Sequence, residues 1–560
     1  MLHRRAFIGQ GFSAVALGVL AQSARAAFVD GVGTGNGVAP PRRRDHPILA
    51  IRPSVSPYIV GGIPFAPTWF GDVFPHNKLP FHQCESCDPP PPVDEHVDVA
   101  IVGGGLSGLA TAWFLRDAKP VVFDLRERFG GNAMGESWNG APYSLGSAYF
   151  IVPDKGSSLD TLYAELGVYE DARVDKGPLA FEWEHVLTEN VCVANCTPEE
   201  LAAAAAYQAR VKYFAFEQYP EIPLPPKNDA WIRELDGGSL HDDIVQHCGS
   251  LPVALREAIQ AYCYSSFGAG WDQISAAAGW NFIAAEEFGR IVLPGGNAGL
   301  ASRFWSRLHA LETPGQPSRL RSSALVENVR VNSDHVLVRW RDADGQRRTL
   351  SAKHVVMANA KHLVERMVDG LATLDPDKAN VIPLVQTAAY IVATVLLKKQ
   401  VDVPYYDSFL LHDASFPMDD VAFERDRRIV DVVDGTFAQQ PSSRDVLSFF
   451  WPLPFAAARF TMIQETDWKA YADLGAPQLR RALGDLKIDP SDIVEVRLTR
   501  WGHAMPIAAP NAIGTGTAEL VRRPIAEKLW FVNQDNWLLP AVETCLQEAE
   551  TWSAEILKRL

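Results

Sequence analysis

The run Gly103-Gly104-Gly105-Leu106-Ser107-Gly108 constrains this chain more than any other part of it. It follows the apolar stretch Val97-Asp98-Val99-Ala100-Ile101-Val102 and precedes a helical pattern from Leu106 to Arg116, giving strand, glycine turn and helix in order. Each glycine has its own task. Gly103 makes the tight turn, Gly105 lets backbone approach a pyrophosphate, and Gly108 lets the helix pack closely on the strand. Leu106 and Ser107 open the helix, whose free amides and partial positive charge favour that anion. A second strand, Pro120 to Asp124, completes a βαβ start, and Asp124 lies 21 residues after Gly103, where a carboxylate accepts the hydroxyls of a ribose. The predicted ligand is a dinucleotide.

Which dinucleotide follows from the next residues. Asp124-Leu125-Arg126-Glu127-Arg128-Phe129-Gly130-Gly131-Asn132 resembles the acid, arginine and paired-glycine run of the flavin amine oxidase superfamily, which includes phytoene desaturase-like enzymes. The resemblance implies FAD as the cofactor, with Asp124, Arg126, Gly130 and Gly131 in matching places and Asn132 where an arginine is usual. It continues more loosely. Leu293-Pro294-Gly295-Gly296-Asn297 is similar to the family's turn before a second FAD-binding hairpin, on which Val326 would meet adenine through its backbone. Phe531-Val532-Asn533-Gln534-Asp535 resembles the closing strand, whose acid, here Asp535, contacts the pyrophosphate and ribityl region. Ala541-Val542-Glu543 stands at the start of the last helix, so Val542 would face the flavin.

The expected fold is α/β: a Rossmann-like FAD-binding domain assembled from residues 95–155, 290–365 and 516–560, with a mixed α+β substrate domain from 156–289 and 366–515. Leucines at helical spacing mark 157–284 as mostly helical, whereas Leu320 to Val356 alternates as strands around the turn Asp342-Ala343-Asp344-Gly345. Residues 27–94 are rich in Gly, Pro and aromatics and end in Pro89-Pro90-Pro91-Pro92, which predicts an extended arm over the body.

Residues 1–26 form an address, with Arg4-Arg5 before Ala6-Phe7-Ile8, a modestly apolar run from Gly11 to Leu20, and the small-x-small site Ala24-Arg25-Ala26. The pattern resembles a twin-arginine signal, which implies a translocase partner, export of the folded chain and a periplasmic location; an ordinary secretion signal or an uncleaved anchor is the alternative. The formal charge is -15, and removing Arg4, Arg5 and Arg25 leaves the mature chain more acidic. Such a surface repels nucleic acid and mildly favours cationic small molecules. Seven cysteines are too few for a disulfide scaffold. Cys84 and Cys87 form a CxxC without the second pair a zinc site needs, and Asp88 replaces the histidine of a haem attachment site. With Cys192 and Cys196 they are candidates for local disulfides, and no metal site is expected.

The resemblance implies transfer of hydride from a C–H beside an amine nitrogen to flavin, so the expected substrate is a small or medium amine. A desaturase or isomerase of lipid-like substrates shares the framework, and a flavin-bound protein without turnover is the reading outside catalysis. Arg500-Trp501-Gly502-His503-Ala504-Met505-Pro506 resembles the family's segment at the flavin's substrate face, making His503 the candidate catalytic residue; a packing histidine is the alternative. Trp501 and the trio Phe449-Phe450-Trp451 are expected in the core. On the strand Tyr390 to Val395, Ala393 is expected where many amine oxidases carry a lysine, and Ala541 where they carry one of two tyrosines. These departures leave two readings open, an amine oxidase and a dehydrogenase that passes electrons to a periplasmic acceptor.

Overall fold

The computed structural model describes residues 44–72, 91–193, 195–411, 428–440, 445–453 and 467–560. The twin-arginine segment, Cys84 and Cys87 lie outside the described residues. Cys192 and Cys196 are joined as a disulfide.

The glycine turn sits at the end of Val93–Val102, the central strand of a seven-stranded sheet. This strand runs parallel to Val121–Phe123 on one side and to Arg347–Met357 on the other. Leu320–Arg321 extends one edge, the closing strand Leu529–Phe531 pairs parallel with Val355 to Met357, and the antiparallel strands Val336–Arg341 and Leu325–Val331 extend the other edge. Ala100, Ile101 and Val102 are buried on both faces, which is why they form an unbroken apolar run. One face packs on the helices Leu106–Phe114, Asn297–Ala310 and Val542–Leu557 through Leu109, Phe304, Leu546 and Ala549. The other face closes over Val338, Leu350, Met357 and Phe531. One sheet is thus assembled from three separated stretches of chain.

A nine-stranded sheet forms the second body, with its middle made of Asp407–Leu410, Asp431–Asp434, Val446–Leu453, Thr387–Leu397 and Ile493–Pro506 in spatial order. The helix Trp468–Asp485 covers one face through Tyr471, Leu479 and Leu483, which meet Phe449, Trp451 and Ala393. Helices Pro198–Phe216, Val253–Phe267 and Ala276–Ala285 build a separate core around Trp280, Tyr264 and Phe267. The expectation of an arm laid over the body is corrected: Tyr58–Val60 and Ile63–Gly71 are strands of the nine-stranded sheet, the latter parallel to Ile493–Pro506, and Ile63, Phe65 and Trp69 are buried core residues. Phe65 and Trp69, which looked unpatterned, face the same core. Among the described residues, no helix is long and apolar enough to cross a membrane.

Candidate functional site

Two cavities meet between the bodies. The larger, about 840 Å³, opens from the glycine turn, and the smaller, about 460 Å³, lies over the nine-stranded sheet. Asn132, Ser147, Gln534, Pro540, Ala541 and Val542 line both.

In the larger cavity the glycines divide their labour as backbone sterics require. Gly103 has φ +114°, and a Cβ there would stand 2.8 Å from the Ala358 carbonyl oxygen. Gly108 lies behind the wall, where a Cβ would come within 1.8 Å of the Gly103 oxygen. At Gly105 a Cβ would make only ordinary contact, 3.7 Å from Gly131, so its missing side chain serves the cavity rather than the fold. Gly105 also caps the helix Leu106–Phe114 without a side-chain partner, and Leu106 and Ser107 line the opening. The first amides of that helix are therefore free for an anion.

Asp124 accepts the N–H of Gly104 at 2.9 Å and of Arg126 at 2.7 Å. Burial pushes its carboxyl up against the opposing pull of Arg126. Arg126 pairs with Asp72, and its Nε, buried, has no partner among the described residues. Burial also presses on Asp72, but the charge of Arg126 and the Gly502 N–H, at 2.9 Å, hold its carboxyl below the usual value. Gly130 and Gly131, at φ +114° and +60°, complete the cradle opposite Gly105. Val326 lines the far end beside a bulge in its strand, and Asp535 accepts the Lys361 N–H at 2.9 Å. Val542 opens the last helix, whose start no side chain caps, at the wall shared by both cavities. Asn132 donates to the Ala504 carbonyl at 3.0 Å on that same wall. Apart from Gly108, every candidate cofactor residue lies on this one surface.

His503 also lines the larger cavity, not the smaller one. Its ring stacks on His362 with centroids 3.6 Å apart, and Nδ1 lies 2.8 Å from the Thr387 hydroxyl. The end of Ile493–Pro506, where its pairing with Thr387–Leu397 shifts register, is divided between the two: Arg500, Gly502 and His503 border the larger cavity, while Trp501, Ala504 and Met505 border the smaller.

The smaller cavity has a floor of sheet residues. Phe409 pairs with Asp431, Asp431 with Phe450, and Phe450 with Val392, and all four face the cavity. Two expectations are corrected here. Phe450 is a wall residue rather than core, and Ala393, paired with Phe449, points to the opposite face, where it packs against the helix-covered core. A strand has period two, so a side chain at 393 lies on the face away from the cavity. Trp501 is buried as expected, but it also borders this cavity, donating through Nε1 to the Leu145 carbonyl at 3.0 Å.

The roof adds Tyr149, Tyr262, Phe282, Glu286 and Phe288. Glu286 accepts the hydroxyls of Tyr149 at 3.1 Å and Tyr262 at 3.0 Å, and burial pushes its carboxyl up. Among the described residues, six acids line the cavity, Asp154, Glu221, Glu286, Asp407, Asp431 and Glu543, and no lysine, arginine or histidine does. Glu543 was quoted only as part of the segment that opens the last helix, and the other five were not singled out in the sequence. A signal existed: single acids interrupt the apolar strands Tyr405 to Leu411 and Ile429 to Val433, an expensive placement unless something uses the charge.

The profile of the NAD(P)-binding Rossmann-like domain matches residues 101–166. No curated protein matches the chain. Among solved structures, a double mutant of putrescine oxidase superposes with TM-score 0.60 at 17% identity, covering 83% of this chain and 100% of its own. Cyclohexylamine oxidase from Brevibacterium oxydans gives 0.58 at 17%, covering 83% and 99%. A candidate protoporphyrinogen oxidase from an Exiguobacterium species gives 0.54 at 14%, with the same coverage of 83% and 99%. These likenesses show the fold, an α/β chain with a Rossmann-like dinucleotide-binding domain.

Proposed function

We propose that this chain is an exported FAD-dependent oxidoreductase acting on amines. The observation that carries the reading is the shared wall: a cradle for a dinucleotide opens directly onto a second cavity lined by aromatics and carboxyls, with Asn132, Gln534 and Val542 between them. The amine oxidases of like fold support it.

The residues present fit FAD. Gly105 leaves open the space a side chain would fill, the helix Leu106–Phe114 starts without a side-chain cap, and the Arg126 Nε is a buried donor without an acceptor among the described residues. Asp124 would hold the ribose, Arg126 and the helix start the pyrophosphate, the Val326 backbone the adenine, and the uncapped start of Val542–Leu557 the electron-rich end of the flavin. Bound FAD supplies a two-electron acceptor for hydride from the carbon beside the amine nitrogen.

The chain's own share is orientation. Tyr390, Val392, Phe450 and Trp501 form a largely apolar floor that keeps water from the reacting carbon, and the acids of the wall draw in an ammonium. His503 and Thr387, joined by their hydrogen bond, would stand on the cofactor's side as a route for a proton. The acids argue against a lipid-like substrate, which would leave them desolvated without a partner.

Anaerobic addition of amines to the purified yellow protein tests the proposal: the flavin band should bleach with an amine and not with a lipid or isoprenoid. Bleaching only by the latter would make the chain a desaturase, and no bleaching by either would leave a flavin carrier.

A further inference from the structure

Two carboxylates in the smaller cavity are each buried with one oxygen left without a donor among the described residues. Asp431 is 3% exposed; its Oδ2 accepts the Ser265 hydroxyl at 2.7 Å, and its buried Oδ1 has no donor among the described residues. Asp407, on the neighbouring strand, is in the same condition, with Oδ2 3.4 Å from Arg290 and Oδ1 without a donor. Other acids of the wall are better served. Glu286 holds two tyrosine hydroxyls, and Glu543 accepts the Ile151 N–H at 2.7 Å. Arg290 is divided among Asp175, Glu286 and Asp407, so its one charge serves three carboxyls. A buried acceptor left unpaired is a standing cost that a ligand's donor removes.

We propose that Asp431, with Asp407 beside it, seats a second cationic nitrogen of the substrate, so that the chain selects diamines or polyamines over monoamines. The inference rests on the amine reading above and names its substrate class. Neither acid belongs to the wall shared with the larger cavity, so the reacting nitrogen and the second one occupy different parts of the space. An ammonium carries three donors, which suits two open carboxylate oxygens. Phe409 and Phe450 flank Asp431 in register across the sheet, and Tyr390 stands on the next strand beyond. They offer aromatic faces to the cation and apolar cover to the chain between the nitrogens. Burial first pushes both carboxyls toward the neutral acid, joined at Asp431 by the charge of Asp407 and at Asp407, against the pull of Arg290, by the charges of Glu286 and Asp175. A bound cation reverses that, so binding expels protons.

The test uses the flavin-loaded protein reduced with dithionite, which binds amines without turning them over. Anaerobic calorimetry compares putrescine, hexamethylenediamine and spermidine with butylamine and hexylamine. At least one of the first group should bind about 30-fold or more tightly than the monoamines, the loss expected for truncating a buried charged pair. Asp431→Asn should collapse that ratio toward one, and Asp431→Glu should restore part of it; the flavin spectrum and melting temperature report whether each variant has folded. The comparison on the unmodified protein stands even if the variants do not fold. Equal affinity for diamines and monoamines overturns the inference, and if monoamines then bleach the flavin the oxidoreductase reading survives alone. Diamine preference in a protein whose flavin no amine bleaches would uphold the seat and refute the reaction.

Discussion

Gly105 and Gly108 stand three residues apart in one turn and predict opposite failures. Gly105 has φ -75° and room for a Cβ, so Gly105→Val should fold, while its methyls fill the space reserved for the pyrophosphate. The expected result is soluble protein with a near-normal melting temperature and no flavin absorption; normal FAD content would refute the cofactor site. At Gly108 a Cβ meets the Gly103 carbonyl oxygen, so Gly108→Ala should cost about 1–3 kcal/mol or more by overpacking and lower the melting temperature or the soluble yield. These roles were legible in the sequence because a glycine turn between strand and helix admits few geometries. Asp407 and Asp431 were not. Their importance lies in which donors fail to reach them, and that depends on Ser265 and Arg290, more than a hundred residues away.

The strand Thr387–Leu397 shows what an element adds. All eleven of its residues are buried, so hydrophobicity alone does not say which face a side chain takes. The pairing does, through Val392 with Phe450 on the cavity and Ala393 with Phe449 in the core. Ala393→Lys should therefore not speed reaction with oxygen. It should force an ammonium among Ile391, Val395 and Leu447 and destabilise the protein by about 3 kcal/mol or more, seen as a fall in melting temperature or loss of soluble protein. The strand holds no lysine on either face, and Lys398 and Lys399, just beyond it, are engaged by the Ser491 carbonyl and by Asp492. Slow reoxidation by air, with faster transfer to a dye or cytochrome, remains the expectation on that ground, and stopped-flow mixing of reduced protein with oxygen checks it. Binding at the facing strands should depend on pH as well. Asp431 meets Ser265, Tyr390 and Asp407, with Arg290, Glu286 and Asp175 behind Asp407, and burial raises its carboxyl. Since the dication needs the ionised form, KM for putrescine should fall as pH rises through that raised value and level off above it; a KM flat across this range would count against Asp431 as the seat.

At the scale of the whole molecule, the cofactor cavity draws on residues from Asp72 to Cys545. The glycine turn, the hairpin at Val326, the segment from Ala358 to Val385, the end of Ile493–Pro506 and the last helix must all be in place before the larger cavity exists. A chain exported unfolded would have to find FAD afterwards, outside the compartment that makes it. Under the proposed export, a folded route would carry the cofactor along, which would give Arg4-Arg5 a physical reason to precede this fold. Arg4→Lys with Arg5→Lys keeps the charge and removes only the arginine pair. The variant should accumulate in the cytoplasm with an unchanged flavin spectrum, melting temperature and amine response, while the unmodified chain is recovered from the periplasm already yellow. Fractionation with absorbance of each fraction decides it. Recovery of the variant from the periplasm would remove the twin-arginine reading, and a cytoplasmic variant lacking flavin would show that loading follows export rather than preceding it.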